Sequence, residues 1–377
     1  MHALLALSGS HSALKTPAAS THNTHTTHTH RQKAITGLEA TFTSWPPQAE
    51  EAHVMLATSY LLCFQSGYVE DGFMEHILSL RGCAFLSQLI LTSNMQGPFA
   101  VQADMHKVFM EAQMNDFPAL DQDLAREALH SLGAYAHLLE EDIETALLAS
   151  LAETVRPLLI SPTHNTTLAS PSSPASTTPY GCFRIPSPAR DCHTIDIGID
   201  WANITVTGAA SPDPLRSFTA LMSSLMIFAQ YPHEQLLHMF DPTNQVANIV
   251  MAHFLAVRFV VSPLSSRHTG IRVPVGAMAV WLERAVDAVG EEFEEYVEWP
   301  RKILRCIQEN LKRKRGLDFG DLLEMLVQDA GAFKEGRVGK FVMVPGASGS
   351  RRVSEECAVQ ICCTPLHDSR MSVAISS

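Results

Sequence analysis

Histidine and glutamate at close spacing are the first place to look for chemistry in this chain. His233-Glu234-Gln235-Leu236-Leu237-His238 has the look of a zinc-hydrolase helix. The metal-binding form needs two histidines four residues apart, one turn up the same face. Here the two are five apart, which turns them about 140° from each other on a helix. They cannot share a metal, so the segment reads as a helix start after Pro232, with Glu234 near the positive end of the helix dipole. His22, His25, His28 and His30 form a second cluster, in a stretch rich in threonine. Nothing apolar surrounds them to fix a coordination geometry, and a solvated low-complexity loop is the expectation. No structural zinc or other metal site is expected anywhere in the chain.

The acidic set Glu291, Glu292, Glu294, Glu295 and Glu298 lacks the D-D-x-x-D form that holds magnesium on a diphosphate, and reads as a solvated face. Ser8-Gly9-Ser10-His11 and the stretch from Gly346 to Ser350 lack the strand–turn–helix setting of a nucleophile elbow or a phosphate loop. The eight cysteines contain no C-x-x-C pair. Cys63, Cys83 and Cys306 sit among apolar helical neighbours, as buried reduced thiols do. No catalytic residue emerges, and the chain is expected not to be an enzyme. The run Lys312-Arg313-Lys314-Arg315 fits either a nuclear import signal or the solvated end of a helix.

These residues lie on a chain of 377 residues, 46% hydrophobic and 18% charged, with a net charge of −12. That is enough apolar material for one large domain or two smaller ones. The acidic balance argues against nucleic-acid binding through bulk charge. The longest apolar run, Ile249 to Val261, is interrupted by His253 and Arg258 and is too short to span a bilayer. The N-terminus shows no signal-peptide pattern. Leu4, Leu7, His11 and Leu14 fall on one helical face from the outset, so we expect a truncation or a lost module upstream of Met1.

The strongest helical signal lies between Asp213 and Trp299. Asp213 is a good N-cap, and Pro214 suits the first helical position. Phe218, Leu221, Met222, Leu225, Met226 and Ala229 then share a face. Asp241-Pro242 starts a second helix carrying Val246, Val250, Phe254, Val257 and Val261, ended by Pro263. A third, after Pro274, carries Met278, Trp281, Leu282 and Val286 and continues through Phe293 to Tyr296. Upstream, helices are expected over residues 31–42, 50–65, 71–91 and 102–113, and a single one from 121 to about 155. Downstream, one is expected after Trp299, through Ile303, Ile307 and Leu311 to the basic run at Lys312, and a short one over 318–327. The fold class is all-α. The expected organisation is an N-terminal helical part (1–160), a flexible Pro/Ser/Thr-rich insert (161–190), a C-terminal helical part of the same domain (191–334) and a disordered tail (335–377). Residues 196–206 are expected to be extended.

The methionines and aromatics of the central helices are either ordinary core filler or the lining of an adaptable apolar pocket. The candidate ligand residues are Phe218, Leu221, Met222, Leu225, Met226, Met251, Phe254, Met278 and Trp281.

Several segments, in order, resemble the regulatory domain of fungal Zn2Cys6 transcription factors, the sterol uptake control branch in particular. They are the opening Met1 to Ser8 with His11, His30-Arg31 through Leu38, Ser66 to Gly72 with Leu80-Arg81-Gly82-Cys83, Leu215 to Phe228, the Pro232 to Gln235 turn, Asp241-Pro242 with Asn244-Gln245, Met251 to Phe254, and Trp299-Pro300. The likeness covers roughly residues 1–310 outside the insert. It implies an all-helical, ligand-sensing domain that controls transcription by RNA polymerase II in the nucleus, after a cytoplasmic stage or without one. It also implies a sterol held between helices, co-regulators or the transcriptional machinery as partners, and homodimers. The family binds DNA through six cysteines holding two zinc ions, and this chain has no such pattern. DNA contact is therefore expected only through a zinc cluster outside this sequence. A sterol- or lipid-binding module with no transcriptional role and a terpene-synthase-like helical enzyme are the other readings. The missing diphosphate-binding motif weighs against the enzyme.

Overall fold

The computed structural model describes residues 1–15, 20–69, 71–100, 120–159, 211–264, 275–313 and 319–335. These form thirteen α-helices, and no strand occurs among the described residues. The first four are α1 (His2–Lys15), α2 (Ser20–Phe42), α3 (Ala49–Ser66) and α4 (Phe73–Thr92). Then come α5 (Gln122–Ala134), α6 (Asp142–Val155), α7 (Pro214–Gln230), α8 (His233–Met239) and α9 (Gln245–Val261). The last are α10 (Val275–Asp287), α11 (Glu298–Arg313), α12 (Phe319–Gln328) and α13 (Ala330–Glu335). The all-helical reading holds.

Local chemistry sets many of the starts. Asp213 Oδ1 accepts the Arg216 N–H at 2.9 Å, with Pro214 behind it, as expected. Asp121 Oδ1 accepts the Leu124 N–H at 2.8 Å. For α9 the cap is Asn244, whose side chain accepts the Ala247 N–H at 3.0 Å. Asp241 instead turns the chain, taking both the N–H and the hydroxyl of Thr243. The glutamate pair Glu141/Glu144 opens α6, with Glu144 reaching back to the Glu141 N–H.

Three expectations are corrected. The threonine- and histidine-rich stretch is helical from Ser20, so His25, His28 and His30 lie on a 23-residue α2 rather than in a loop. Its support is tertiary. Gly9 of α1 meets Thr27 so closely that a Cβ there would lie 2.3 Å from the threonine hydroxyl. The His2 and His30 rings stack, with their Nδ1 atoms 2.9 Å apart. The expected single helix from 121 to 155 is two, separated by a 3-10 turn at Ala136–Leu138. The helix through Tyr296 stops at Asp287, and a 3-10 segment follows over Glu291–Val297. Gly290 marks that break, its N–H donating to Gln245 Oε1 at 2.6 Å. The expected helix over 102–113, the extended piece over 196–206, the insert and the tail beyond Glu335 lie outside the described residues.

The main core draws on α4 through α13, from Ile77 to Phe333. Its axis is α9, where every residue from Ala247 to Val261 except Arg258 is buried. A helix apolar on all sides belongs inside a layer of others; α5, α6, α8, α10 and α11 surround it. Two smaller clusters lie under α1, α2 and α3. α4 joins the two regions: Ile77 packs into the main core, and Cys83, Leu86 and Ile90 into a smaller one.

Candidate functional site

The central helices do not meet as one three-helix set. α9 lies along α10, whereas α7 packs on α6 and α4. The α6–α7 seam is built from small hydroxyl residues. Ser217 Oγ donates to the Thr154 carbonyl at 2.5 Å, and Ser150 Oγ donates to the Ala220 carbonyl at 3.1 Å. Ser217 and Ser224 are fully buried, and this turns α7 away from the face that apolar spacing picks out. Leu221 and Leu225 stay inside, Phe218 and Met226 are half-buried, and Met222 is 41% exposed.

Among the remaining candidate ligand residues, Met251, Phe254, Met278 and Trp281 are buried. Phe254 contacts α7 through Phe228, edge to face at 5.3 Å. Trp281 faces the other way. Its indole N–H donates to the Val69 carbonyl at 3.3 Å, and its ring lies 5.3 Å from Phe73 and 5.4 Å from His76. The structure therefore brings Phe254 to the α7 side of α9, and Trp281 to the side of α4.

A polar node sits beside Trp281. Arg258 of α9 reaches α4, and its Nη1 lies 3.1 Å from His76 Nε2. A guanidinium only donates, so Nε2 accepts and the ring proton sits on Nδ1. Nδ1–H then donates to the Cys63 carbonyl at 3.1 Å, which also takes the Ser66 hydroxyl at 2.6 Å. Burial, reinforced by the Arg258 charge, pulls the His76 pKa down to about 3. Burial also pushes the Cys63 thiol up to about 12, against the pull of Arg258. The thiol therefore stays protonated and is a poor nucleophile. What the node does is tie α3, α4 and α9 together, and α10 through Trp281.

A second node lies on the opposite side of α9. Ser131 of α5 and His253 Nε2 are 2.8 Å apart, and His253 Nδ1–H donates to the Ile249 carbonyl at 2.8 Å. Ser131 is thus the donor to Nε2. The pair resembles the serine–histidine half of a hydrolase triad, but its setting differs. His253 is fully buried under Tyr135 and Trp299, and burial lowers its pKa to about 4. A base that weak, enclosed by aromatic rings, holds α5 against α9.

A groove of about 380 Å³ opens elsewhere, between α2 and α3, with residues 1–3 at its edge. Sequence periodicity missed it, because its floor is made of Ala34, Gly37 and Thr41 as much as of large apolar residues.

The other candidates fall on the surface. His233, Glu234 and His238 are exposed on α8, and Glu291, Glu292, Glu294, Glu295 and Glu298 are exposed around the 3-10 segment. Lys312 is exposed near the end of α11 and Arg313 closes that helix, while Lys314 and Arg315 lie outside the described residues. Cys63, Cys83 and Cys306 are buried free thiols. Among the described residues no group of three metal-ligating side chains occurs, and no helix is long and apolar enough to cross a membrane.

Comparison with known proteins returns no matching family model, no matching curated protein and no matching solved structure.

Proposed function

We propose that this chain is a ligand-responsive regulatory domain of the fungal zinc-cluster transcription factor type. In this reading it carries no catalytic residue and no metal. It acts in the nucleus through co-regulators, and as a homodimer. It reaches DNA through a zinc cluster outside this sequence. An apolar, sterol-like ligand is held on the α7 side of α9, where Phe254 meets Phe228. The ordered sequence likeness is one support. The structural observation that carries the reading is the dual anchoring of α9: Arg258 ties it to α4 and His253 ties it to α5. A ligand that displaces α9 must disturb both ties, and so changes two distant helices at once. A ligand shifts such an equilibrium only by its differential affinity for the two arrangements.

The alternative is a helical sterol- or lipid-binding module with no role in transcription. A reporter assay separates the two. The chain is fused to a heterologous DNA-binding domain, and reporter output is read with and without sterol depletion. A several-fold change on depletion is the expected result. Sterol binding by the purified chain with a flat reporter response favours the alternative. A flat reporter and no sterol binding ends both readings.

A further inference from the structure

The α2–α3 groove has a shape and a charge pattern that specify an occupant. Along α2 it is lined by Ala34, Gly37, Leu38 and Thr41, and along α3 by Glu51, Val54, Met55 and Thr58. Each set runs i, i+3, i+4, i+7, a straight strip two turns long, or about 10.5 Å. Two parallel strips of that kind make the holes into which a third helix inserts side chains. Small residues on the α2 strip let a neighbouring backbone come close. A Cβ at Gly37 would meet nothing within 4 Å. Val54, on the α3 strip, is 60% exposed, so apolar surface is left uncovered there.

The charges are split between the ends. α2 runs into α3 through the short 43–48 turn, so Lys33 marks one end of the groove and Glu50 the other. Both are exposed, and among the described residues neither forms an ion pair within 4 Å. An acyl chain would fill the apolar strip but leave Glu50 without a partner. A helix with an acidic end and a basic end satisfies both.

We infer that this groove is a docking site for a short amphipathic helix of a partner protein. The helix presents an apolar stripe at i, i+4, i+7, a basic end towards Glu50 and an acidic end towards Lys33. This does not depend on the ligand reading above.

The test uses two 16-residue peptides with the same leucine stripe and zero net charge, one with lysines at its N-terminal end and glutamates at its C-terminal end, the other with these ends exchanged. Binding to the full chain is followed by fluorescence anisotropy. The expected result is saturable binding in which one peptide is preferred at least tenfold, the preference inverting in the Lys33→Glu/Glu50→Lys double variant. Gly37→Trp fills the strip from a helical position with free space, and should abolish binding while thermal unfolding followed by circular dichroism stays unchanged. Val54→Asp, at an exposed site, should also abolish binding with the fold intact. Equal binding of both peptides, or binding indifferent to Gly37→Trp and Val54→Asp, would overturn the inference. So would the absence of peptide binding alongside saturable, Gly37-sensitive binding of a fluorescent fatty acid, which would make the groove a lipid site.

Discussion

Arg258 donates to Nε2 of His76 across 3.1 Å, linking positions 182 residues apart in the chain. The contact fixes the tautomer of His76 and, with burial, keeps that ring neutral. It also gives the buried central helix a polar hold on α4, where apolar packing alone would allow rotation about the helix axis.

The first prediction concerns pH. His76 and His253 have folded pKa values near 3 and near 4. Both lie below the ordinary value of about 6.5. The unfolded chain therefore takes up protons first. The stability these rings contribute is complete above about pH 6.5 and is lost as pH falls towards 4. Between pH 6.5 and pH 5 each ring accounts for about 2 kcal/mol of lost stability. Urea unfolding at the two pH values should show this loss. His76→Gln, which keeps an acceptor for Arg258, should have a flatter profile over that window. A variant profile as steep as that of the wild type would show that His76 is not held neutral.

Ser131→Ala removes the donor to His253 Nε2 and leaves a buried acceptor unpaired. The expected cost is about 1–3 kcal/mol. A denaturation midpoint within error of the wild type would mean that the pair does not hold α5 on α9.

Met222 and Met251 should respond very differently to truncation. Met222 is 41% exposed and Met251 is 3% exposed. Met222→Ala is expected to change stability by no more than about 0.5 kcal/mol, as surface substitutions do. Met251→Ala should cost about 2–5 kcal/mol. Equal effects would place the α7 face as apolar spacing alone places it, with Met222 inside.

The α6–α7 seam should reject bulk. Ser217 is fully buried and donates to the Thr154 carbonyl. Ser217→Leu overpacks the seam and loses that bond, at an expected cost of at least about 1–3 kcal/mol. Normal stability in this variant, measured by chemical denaturation, would show that the helices can separate there.

How much of this was legible in the sequence depended on whether the signal was local. The cap at Asp213, the apolar run of α9 and the helical class are local, and were readable. The rotation of α7 was not, because Ser217 and Ser224 are buried through hydrogen bonds to backbone carbonyls, and an apolar count scores them as surface. The helical state of His25, His28 and His30 is hidden for a related reason: that half of α2 is held by α1 at Gly9 and His2, while the apolar packing of α2 lies further along, at Ala34, Ile35 and Leu38. The break before Glu291 turns on Gly290 bonding to Gln245, 45 residues away. The Arg258–His76 and Ser131–His253 ties pair residues remote in the chain, and single-sequence spacing carries no trace of them. Helical spacing alone groups the candidate ligand residues, because they share helical faces. The fold splits that group: α7 packs mainly on α4 and α6 and meets α9 at Phe228 and Phe254, while Trp281 is turned towards α4.

The central claim is that a sterol-like ligand acts on the helices around α9. Hydrogen–deuterium exchange of the full chain, with and without a saturating fluorescent sterol, tests it most directly. The account predicts saturable binding, slower exchange in Pro214–Gln230, Gln245–Val261 and Val275–Asp287, and altered exchange in α4 and α5 through Arg258 and His253. Unchanged exchange in all five helices, with no saturable sterol binding, would contradict it.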